Sequence, residues 1–274
     1  MRSARLLSPP SGERSNGKKI WGERSDGKKI WGERSDGKTQ RVQLILTAHG
    51  SADPRSAANA HQVARTVAAL RRGIDVKVAF CEQNSPNLRD VLAGCVPGSV
   101  VVPLLLADAY HARIDIPAMI EDSGVDVHQA EVLGEDDRLI HVLSQRLTHA
   151  GVSRLDGRIG VLVTAVGSSS PAANARTATV ATGLVAGTHW QATAAFATGP
   201  QANLAEATEQ LHARGATNVV VAPWFLAHGR ITDRIADFAG PRGMPMCQPL
   251  GSHRLVADTV LDRFDAVLTA RRAA

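Results

Sequence analysis

Short apolar runs alternate with longer amphipathic stretches along most of this chain. The runs at residues 44–47 and 99–106 are typical of strands buried in a parallel sheet, and the stretch 56–71 places apolar residues at helical spacing. The same patterns predict further strands at 75–80 and 125–133, and helices at 85–94, 114–121 and 136–149. Strands that alternate with helices in this way predict parallel sheets with helices on both faces.

The second half of the chain repeats the first. The segment Leu44–Ser51 reappears as Val161–Ser168, and Val100–Ala107 reappears as Val220–Ala227. Strands are predicted at 159–164, 191–197 and 218–223, with helices at 172–184, 201–214 and from Asp233 onward. We therefore predict an α/β fold of two similar doubly wound parallel-sheet lobes, 42–155 and 156–274, that arose by internal duplication.

The first 41 residues differ in character from the rest. A decapeptide, Gly12–Trp21, recurs from Gly22 to Trp31 and in part as far as Lys38, with one Ile-Trp pair per unit. Burial of this small apolar surface would not offset the conformational entropy lost on folding, and we therefore predict a disordered tail over 1–41. If translation started at Val42 instead, this tail would be sequence upstream of the true start codon.

Charge and cysteine usage narrow the functional classes. The formal charge is +5, but residues 1–41 carry eleven Lys and Arg against five Asp and Glu, so the remainder is near neutral and no nucleic-acid partner is expected. The three cysteines form no CxxC pair, which argues against a four-thiolate metal site and fits a reducing, cytoplasmic location. There is no apolar run of about 18 residues, so no membrane partner is expected.

Three chemically active side chains follow predicted strands of the first half. They are His49, Glu82 and His111, and ligands of such sheets bind at the carboxyl ends of the strands. An imidazole there can accept a proton or bind a metal near neutral pH. The second copy has Val166 in place of His49 and Ile231 in place of His111, which predicts one working site and one structural or substrate-shaping partner.

Several of these residues also have simpler interpretations. His49 could be a capping or core histidine; a phosphohistidine mechanism is disfavoured because Ala48 stands where such enzymes need arginine. Glu82 could be a surface carboxylate, Asp115 could cap a helix, and Arg113 could form an exposed salt bridge. His228 is a further candidate to enter the cleft from the second half.

Two segments together resemble one known family. These are Thr-Ala-His-Gly-Ser-Ala-Asp-Pro-Arg, which contains His49, and Pro-Leu-Leu-Leu-Ala-Asp-Ala-Tyr-His-Ala-Arg-Ile-Asp-Ile-Pro, which contains His111. Both resemble the CbiX-type sirohydrochlorin chelatases, the class II tetrapyrrole metal chelatases. The segment Val78–Glu82 looks like the second strand of that family, and the similarity extends over nearly everything from Val42 onward.

The resemblance implies ATP-independent insertion of Fe(II) or Co(II) into sirohydrochlorin, for siroheme or cobalamin biosynthesis. It implies a lyase with His49 and His111 as metal-binding and catalytic residues, with Glu82 completing the set. Arg55 and Arg113 would meet carboxylates of the substrate. The metal would be a substrate, with no permanently bound cofactor, and the chain would work as a two-lobe monomer.

Metal identity and activity are less constrained. Histidine and carboxylate ligands do not separate iron from cobalt, and the resemblance favours iron modestly. In the second lobe, Trp224 and Phe225 would lie near the macrocycle or in the core. One alternative is a non-catalytic tetrapyrrole- or metal-binding protein on the same scaffold. Another is a phosphate-handling enzyme, but Ser51 and Arg55 alone make a poor phosphate-binding site.

Overall fold

The computed structural model describes residues 22–23, 29–30, 42–198 and 203–273. In the first 41 residues, two short strands, β1 (Gly22–Glu23) and β2 (Lys29–Ile30), pair antiparallel with each other. The prediction that 1–41 is a disordered tail otherwise lies outside the described residues. The described residues from Val42 onward form one compact unit.

The first half of this unit is built on a four-stranded parallel sheet in the order β4-β3-β5-β6. Its strands are β3 (Gln43–Ala48), β4 (Asp75–Phe80), β5 (Ser99–Pro103) and β6 (Val127–Gln129). Its helices are α1 (Pro54–Leu70), α2 (Leu88–Ala93), α3 (Ile116–Ser123) and α4 (Asp137–His149). A π-helical turn, His111–Asp115, leads into α3.

The second half repeats this arrangement with a three-stranded parallel sheet in the order β8-β7-β9. Its strands are β7 (Ile159–Ala165), β8 (Gln191–Phe196) and β9 (Asn218–Pro223). Its helices are α5 (Pro171–Val185), α6 (Leu204–Ala213), α7 (Arg230–Ala239) and α8 (Arg254–Ala273). A single parallel bridge between Val221 and Met246 takes the place of the fourth strand. The predicted pair of doubly wound α/β lobes is confirmed.

The inner faces of the two sheets share one hydrophobic core. Side chains alternate between the two faces of a strand, so in β3 Leu44 and Leu46 face one side and Ile45 the other. The side with Leu44 belongs to the same buried cluster as Val161 and Val163 of β7. The outer faces carry two smaller, separate clusters. The two halves are therefore joined through apolar packing and behave as one folded body.

The last helix of each half packs on the other half. Helix α4 closes the first half in sequence, yet it packs against α5 and β9. Helix α8 closes the second half, yet it packs against α1 and β5 and buries Val256, Val260 and Phe264 in the shared core. This helix exchange was not predicted from the sequence, and neither was α8 as a separate helix; α7 also begins at Arg230 rather than at Asp233.

Polar contacts reinforce the docking of α8 on the first half. The guanidinium of Arg263 donates to the carbonyl oxygen of Val132 at 3.0 Å and pairs with Asp136 at 3.1 Å. Two residues farther along the helix, Asp265 forms an ion pair with Arg71, the residue that follows α1. Among the helices of the described residues, none is long and apolar enough to cross a membrane.

Candidate functional site

The candidate residues lie where the order of the first sheet reverses. The chain leaves β3 for the neighbouring β4 on one side and reaches β5 on the other, which makes the β3–β5 boundary a switch point. His49 follows β3 directly, and His111 lies eight residues past the end of β5. Both histidines therefore lie at the carboxyl-end edge of the first sheet, where the sequence analysis predicted them.

Gly50 allows the turn that carries His49. Its φ is +101°, a backbone conformation that residues other than glycine rarely adopt. A Cβ there would lie 1.8 Å from the carbonyl oxygen of Glu82. The backbone N–H of Glu82 in turn donates to the carbonyl oxygen of His49 at 3.0 Å. The loops after β3 and β4 are thus held in direct backbone contact.

The two imidazoles are neighbours. The ring centroids of His49 and His111 are 3.9 Å apart, with the ring planes tilted by 52°. The Nδ1 atom of His49 lies 3.3 Å from Glu82 Oε1, an ion-pair distance without hydrogen-bond geometry, and this Nδ1 is buried with no hydrogen-bond partner. The structure therefore brings together all three residues predicted as catalytic.

His111 is held by a carboxylate four residues along the chain. Its Nδ1 lies 2.5 Å from Asp115 Oδ2, a hydrogen-bond distance. Asp115 occupies the residue before α3, but its side chain makes no capping hydrogen bond to that helix. The interpretation of Asp115 as a helix cap was wrong, and its bond to His111 is a feature that the sequence analysis missed.

Nearby Cys81 is a poor candidate ligand. Burial raises the pKa of its thiol to about 11, and the carboxylates of Asp115 and Glu82 act in the same direction. A thiol with so high a pKa stays protonated near neutral pH, whereas metals bind the thiolate. Among the described residues, no group of three or more His, Cys, Asp and Glu is arranged to enclose a metal.

The histidines open into a cleft between the two halves. His49 lines two adjoining compartments of about 390 Å³ and about 470 Å³. Both have mainly apolar walls, and they are here called the polar and the apolar compartment after the side chains that distinguish them. The polar compartment also has Ser51, Asn59 and His228 in its wall. The apolar compartment contains His111 and is otherwise lined largely by hydrophobic side chains, among them Leu105, Val166, Trp224 and Phe225.

The second half supplies one wall without imidazoles at the matching positions. Val166 lies where the first half has His49, and it lines both compartments. Trp224 is only 2% exposed and belongs mainly to the core, whereas Phe225 borders both compartments. His228 lies in the polar compartment, where its Nε2 is 2.9 Å from Gln248 Oε1.

The two arginines expected to meet substrate carboxylates are both engaged by carboxylates of the protein. Arg55 binds Asp53 and, across the cleft, Asp233 of α7, at 2.6 and 2.5 Å. Its guanidinium lowers the pKa of Asp53 to about 2. Arg113 binds Asp108 at 2.5 Å and lowers the pKa of that carboxyl. The partner Asp233 is 178 residues from Arg55, so no local sequence signal indicated it.

The sequence is similar to known proteins over most of its length. The sequence model of the CbiX family matches residues 43–150 and again 160–267. A sirohydrochlorin ferrochelatase of Priestia megaterium is 30% identical over 141 residues, 47% of this chain, and the matched part spans about half (52%) of that relative. A sirohydrochlorin cobaltochelatase of the same organism is 27% identical over 207 residues, 71% of this chain and 67% of the relative.

Solved structures share the fold. SirB from Bacillus subtilis with Fe3+ has a TM-score of 0.68 at 22% identity, over 82% of this chain and 94% of that one. A multi-domain protein of Deinococcus radiodurans, described as structurally similar to chelatases with two additional domains, has a TM-score of 0.61 at 20% identity, over 81% of this chain and 54% of that one. Both copies of the repeat are matched, and together they cover most of the sequence. The chain therefore belongs to the CbiX family and carries two CbiX repeats.

Proposed function

We propose that the protein is a sirohydrochlorin metal chelatase that inserts Fe(II) or Co(II) into the tetrapyrrole without ATP. The observation that carries this proposal is the pair of imidazoles, His49 and His111, 3.9 Å apart on the wall of an apolar cleft. Insertion needs a loosely held cation and acceptors for two pyrrole protons, and both requirements fit this pair.

Metal handling falls to the two imidazoles. Nitrogen ligands of this type suit Fe(II), Co(II) and Ni(II), and at the observed separation both rings can reach one cation. Two protein ligands are fewer than a closed structural metal site uses, so the ion keeps open positions through which the ring nitrogens can replace water. A site of this kind binds the metal as a substrate that is released within the product.

Proton removal is the second task. Neutral imidazole is a competent proton acceptor near pH 7, and Glu82 lies 3.3 Å from His49 Nδ1. Once the cation has passed to the ring, the freed nitrogen of each imidazole can accept one of the two pyrrole protons, and Glu82 would stabilise the protonated form of His49. Glu82 is about half exposed, so it also offers the proton a path to water.

The cleft supplies binding of the macrocycle. A flat conjugated ring fits against apolar walls such as those of the apolar compartment, and Phe225 and Tyr110 border it. Carboxylates of the substrate would have to displace Asp233 to bind Arg55, and Asp108 to bind Arg113. We retain both arginines as candidate contacts on that condition.

The test is anaerobic spectrophotometry of sirohydrochlorin with Fe(II) or Co(II). The full chain should accelerate the spectral conversion, and the double variant His49→Ala/His111→Ala should lose about 10²–10⁴-fold of the rate, the range typical of lost proton transfer. His141→Ala is the matched control, because His141 is an exposed histidine on α4 that lines neither compartment. Comparison of initial rates ranks the two metals.

The alternative is a tetrapyrrole- or metal-binding protein without catalysis. Equilibrium binding of sirohydrochlorin with no acceleration for either metal, in a folded full-length chain, would favour that function and contradict the chelatase. The similar placement of both histidines in one cleft supports either function, whereas the engagement of Arg55 by two carboxylates disfavours a phosphate-handling enzyme.

A further inference from the structure

We propose that Asp115 is the positioning residue of His111, and that it fixes the imidazole with Nδ1 protonated so that the lone pair of Nε2 is available to the incoming cation. The inference rests on the proposed function for its purpose. The tautomer itself can be measured whether or not the chain inserts metal.

The geometry gives Asp115 this role directly. The Nδ1 to Oδ2 distance is 2.5 Å, and the two side chains are only 33% and 28% exposed, so water competes weakly for the bond. Neutral imidazole has one N–H and one lone pair, and a carboxylate at Nδ1 accepts the N–H. The lone pair then belongs to Nε2.

The backbone is adapted to this contact. Residues His111–Asp115 form a π-helical turn, in which the N–H of Ile116 donates to the carbonyl oxygen of His111 five residues earlier. Turns of this kind are rare and are frequent at functional sites. Here the turn places the carboxylate of Asp115 against the imidazole of His111, while Ala112 between them is buried.

Asp115 has no competing task in the described part of the chain. Its backbone is helical (φ −69°, ψ −48°) and its side chain makes no cap to α3. The nearest guanidinium in sequence, Arg113, is bound to Asp108 instead. Its side chain contacts the ring of His111.

The second half provides an internal comparison. Twelve residues past the strand-end proline the first half has Asp115, and the second half has Ile235; eight residues past it they have His111 and Ile231. Ile235 is 1% exposed and lies in the outer core of the second sheet. The copy without the imidazole thus also lacks the carboxylate, as expected if the two act as a unit.

The first experiment is long-range proton–nitrogen NMR of the histidine rings in the full chain, at a pH where imidazole is neutral. We expect a protonated Nδ1 and an unprotonated Nε2 for His111. In Asp115→Ala the ring should shift toward the Nε2-protonated form, and Asp115→Glu should restore part of the original signature. An unchanged signature in Asp115→Ala would overturn the inference.

The second experiment is a double-mutant cycle on Co(II) affinity without tetrapyrrole. Loss of such an outer carboxylate typically costs 10–100-fold in metal affinity, and we expect Asp115→Asn to fall in that range. In a His111→Ala background the same change should have no further effect, because Asp115 acts through His111. An equal loss in both backgrounds would show that Asp115 acts elsewhere and would contradict the proposal.

A control and a separation of outcomes complete the test. Asp122→Asn, on the same helix α3 but in an exposed pair with Arg89, should leave the His111 signature and Co(II) affinity unchanged. A tautomer shift in a chain that inserts no metal would refute the proposed function and keep this inference. Normal insertion with no change in tautomer or affinity would refute this inference alone.

Discussion

At the scale of single residues, the two copies keep the same backbone and differ in chemistry. Gly50 and Gly167 both have φ near +100°, and a Cβ at either would lie within about 2 Å of a carbonyl oxygen of the neighbouring strand-end loop, 1.8 Å at Gly50 and 2.1 Å at Gly167. Yet the residue before each glycine is His49 in one copy and Val166 in the other. The turn is therefore a property of the fold, and the imidazole is an addition to it.

Gly50→Ala should destabilise the protein more than the same substitution at another glycine with a similar φ. Left-handed backbone alone costs an ordinary residue roughly 1–2 kcal/mol, and the clash with the carbonyl oxygen of Glu82 adds to this. Gly73→Ala is the matched control, since Gly73 has φ +97° with nothing within 4 Å of its Cβ. Urea unfolding of the two variants should show a larger loss for Gly50→Ala, together with a reduced metal-insertion rate. Equal losses would contradict the close approach described here.

The residues of the site differ in how far sequence could predict them. His49, Glu82 and His111 follow strands whose apolar runs are clear, so the rule that strand ends converge was sufficient. The partner of Arg55 depended on a long-range contact, since Asp233 approaches Arg55 only because the halves face each other. Asp115 is four residues from His111, a spacing at which side chains meet on a helical turn, but the predicted helix began only at residue 114 and so did not include His111.

At the scale of elements, the helix starts carry much of the electrostatics. Asp136 caps α4 by accepting from the N–H of Arg138 at 3.0 Å, and it also binds the guanidinium groups of Arg138 and Arg263. The hydrogen bonds from Arg138 lower the pKa of this carboxyl to about 2, from an ordinary 3.8. One side chain therefore links the start of α4 to the exchanged helix α8.

This shift predicts a specific acid sensitivity. A carboxyl whose pKa is lowered on folding stabilises the protein fully above about pH 4, and that stabilisation is lost as the pH falls toward about 2. Asp136→Asn keeps a good capping side chain and removes the charge, so its stability should fall less steeply between pH 4 and 2 than that of the wild type. The control is Asp137→Asn, an exposed neighbour in the same first turn, which should retain the wild-type slope in denaturant titrations across that range.

The exchanged helix also predicts where the shared core is sensitive. Phe264 of α8 is 1% exposed and packs in the core common to both halves, so Phe264→Ala should destabilise the protein by about 3–5 kcal/mol. Unfolding followed by circular dichroism should remain one cooperative transition, because the halves share that core. Leu155→Ala, at a position 74% exposed, is the control and should change stability little. Two separate transitions would contradict a common core.

Strands β3, β5 and β9 were predictable because their apolar runs are continuous, and β9 matches its predicted bounds of 218–223. Strand β6 covers only Val127–Gln129, where 125–133 was predicted. The docking of α8 was not predictable, since the sequence pattern does not say which half a helix will cover. Its apolar residues face β5, whose sequence lies some 150 residues earlier, and the irregular segment before it carries no strand-like or helix-like period.

At the scale of the whole molecule, the two halves are held together by their core, and the ion pair across the cleft contributes little. Arg55 and Asp233 are 47% and 50% exposed, and ion pairs this exposed contribute little to stability. Asp233→Asn should therefore lower the free energy of unfolding far less than Phe264→Ala does. A loss as large as that of Phe264→Ala in denaturant titration would show that the pair, and not the core, joins the halves.

The helix exchange gives the duplication an evolutionary meaning. Each repeat receives a covering helix that is encoded in the other, so loss of either copy would expose hydrophobic surface of its twin. Selection for folding thus preserves both copies, even where selection for chemistry preserves only one. Under that arrangement the second repeat is free to change at the positions that face the cleft, and Val166 and Ile231, in place of the two histidines, are the kind of change it permits.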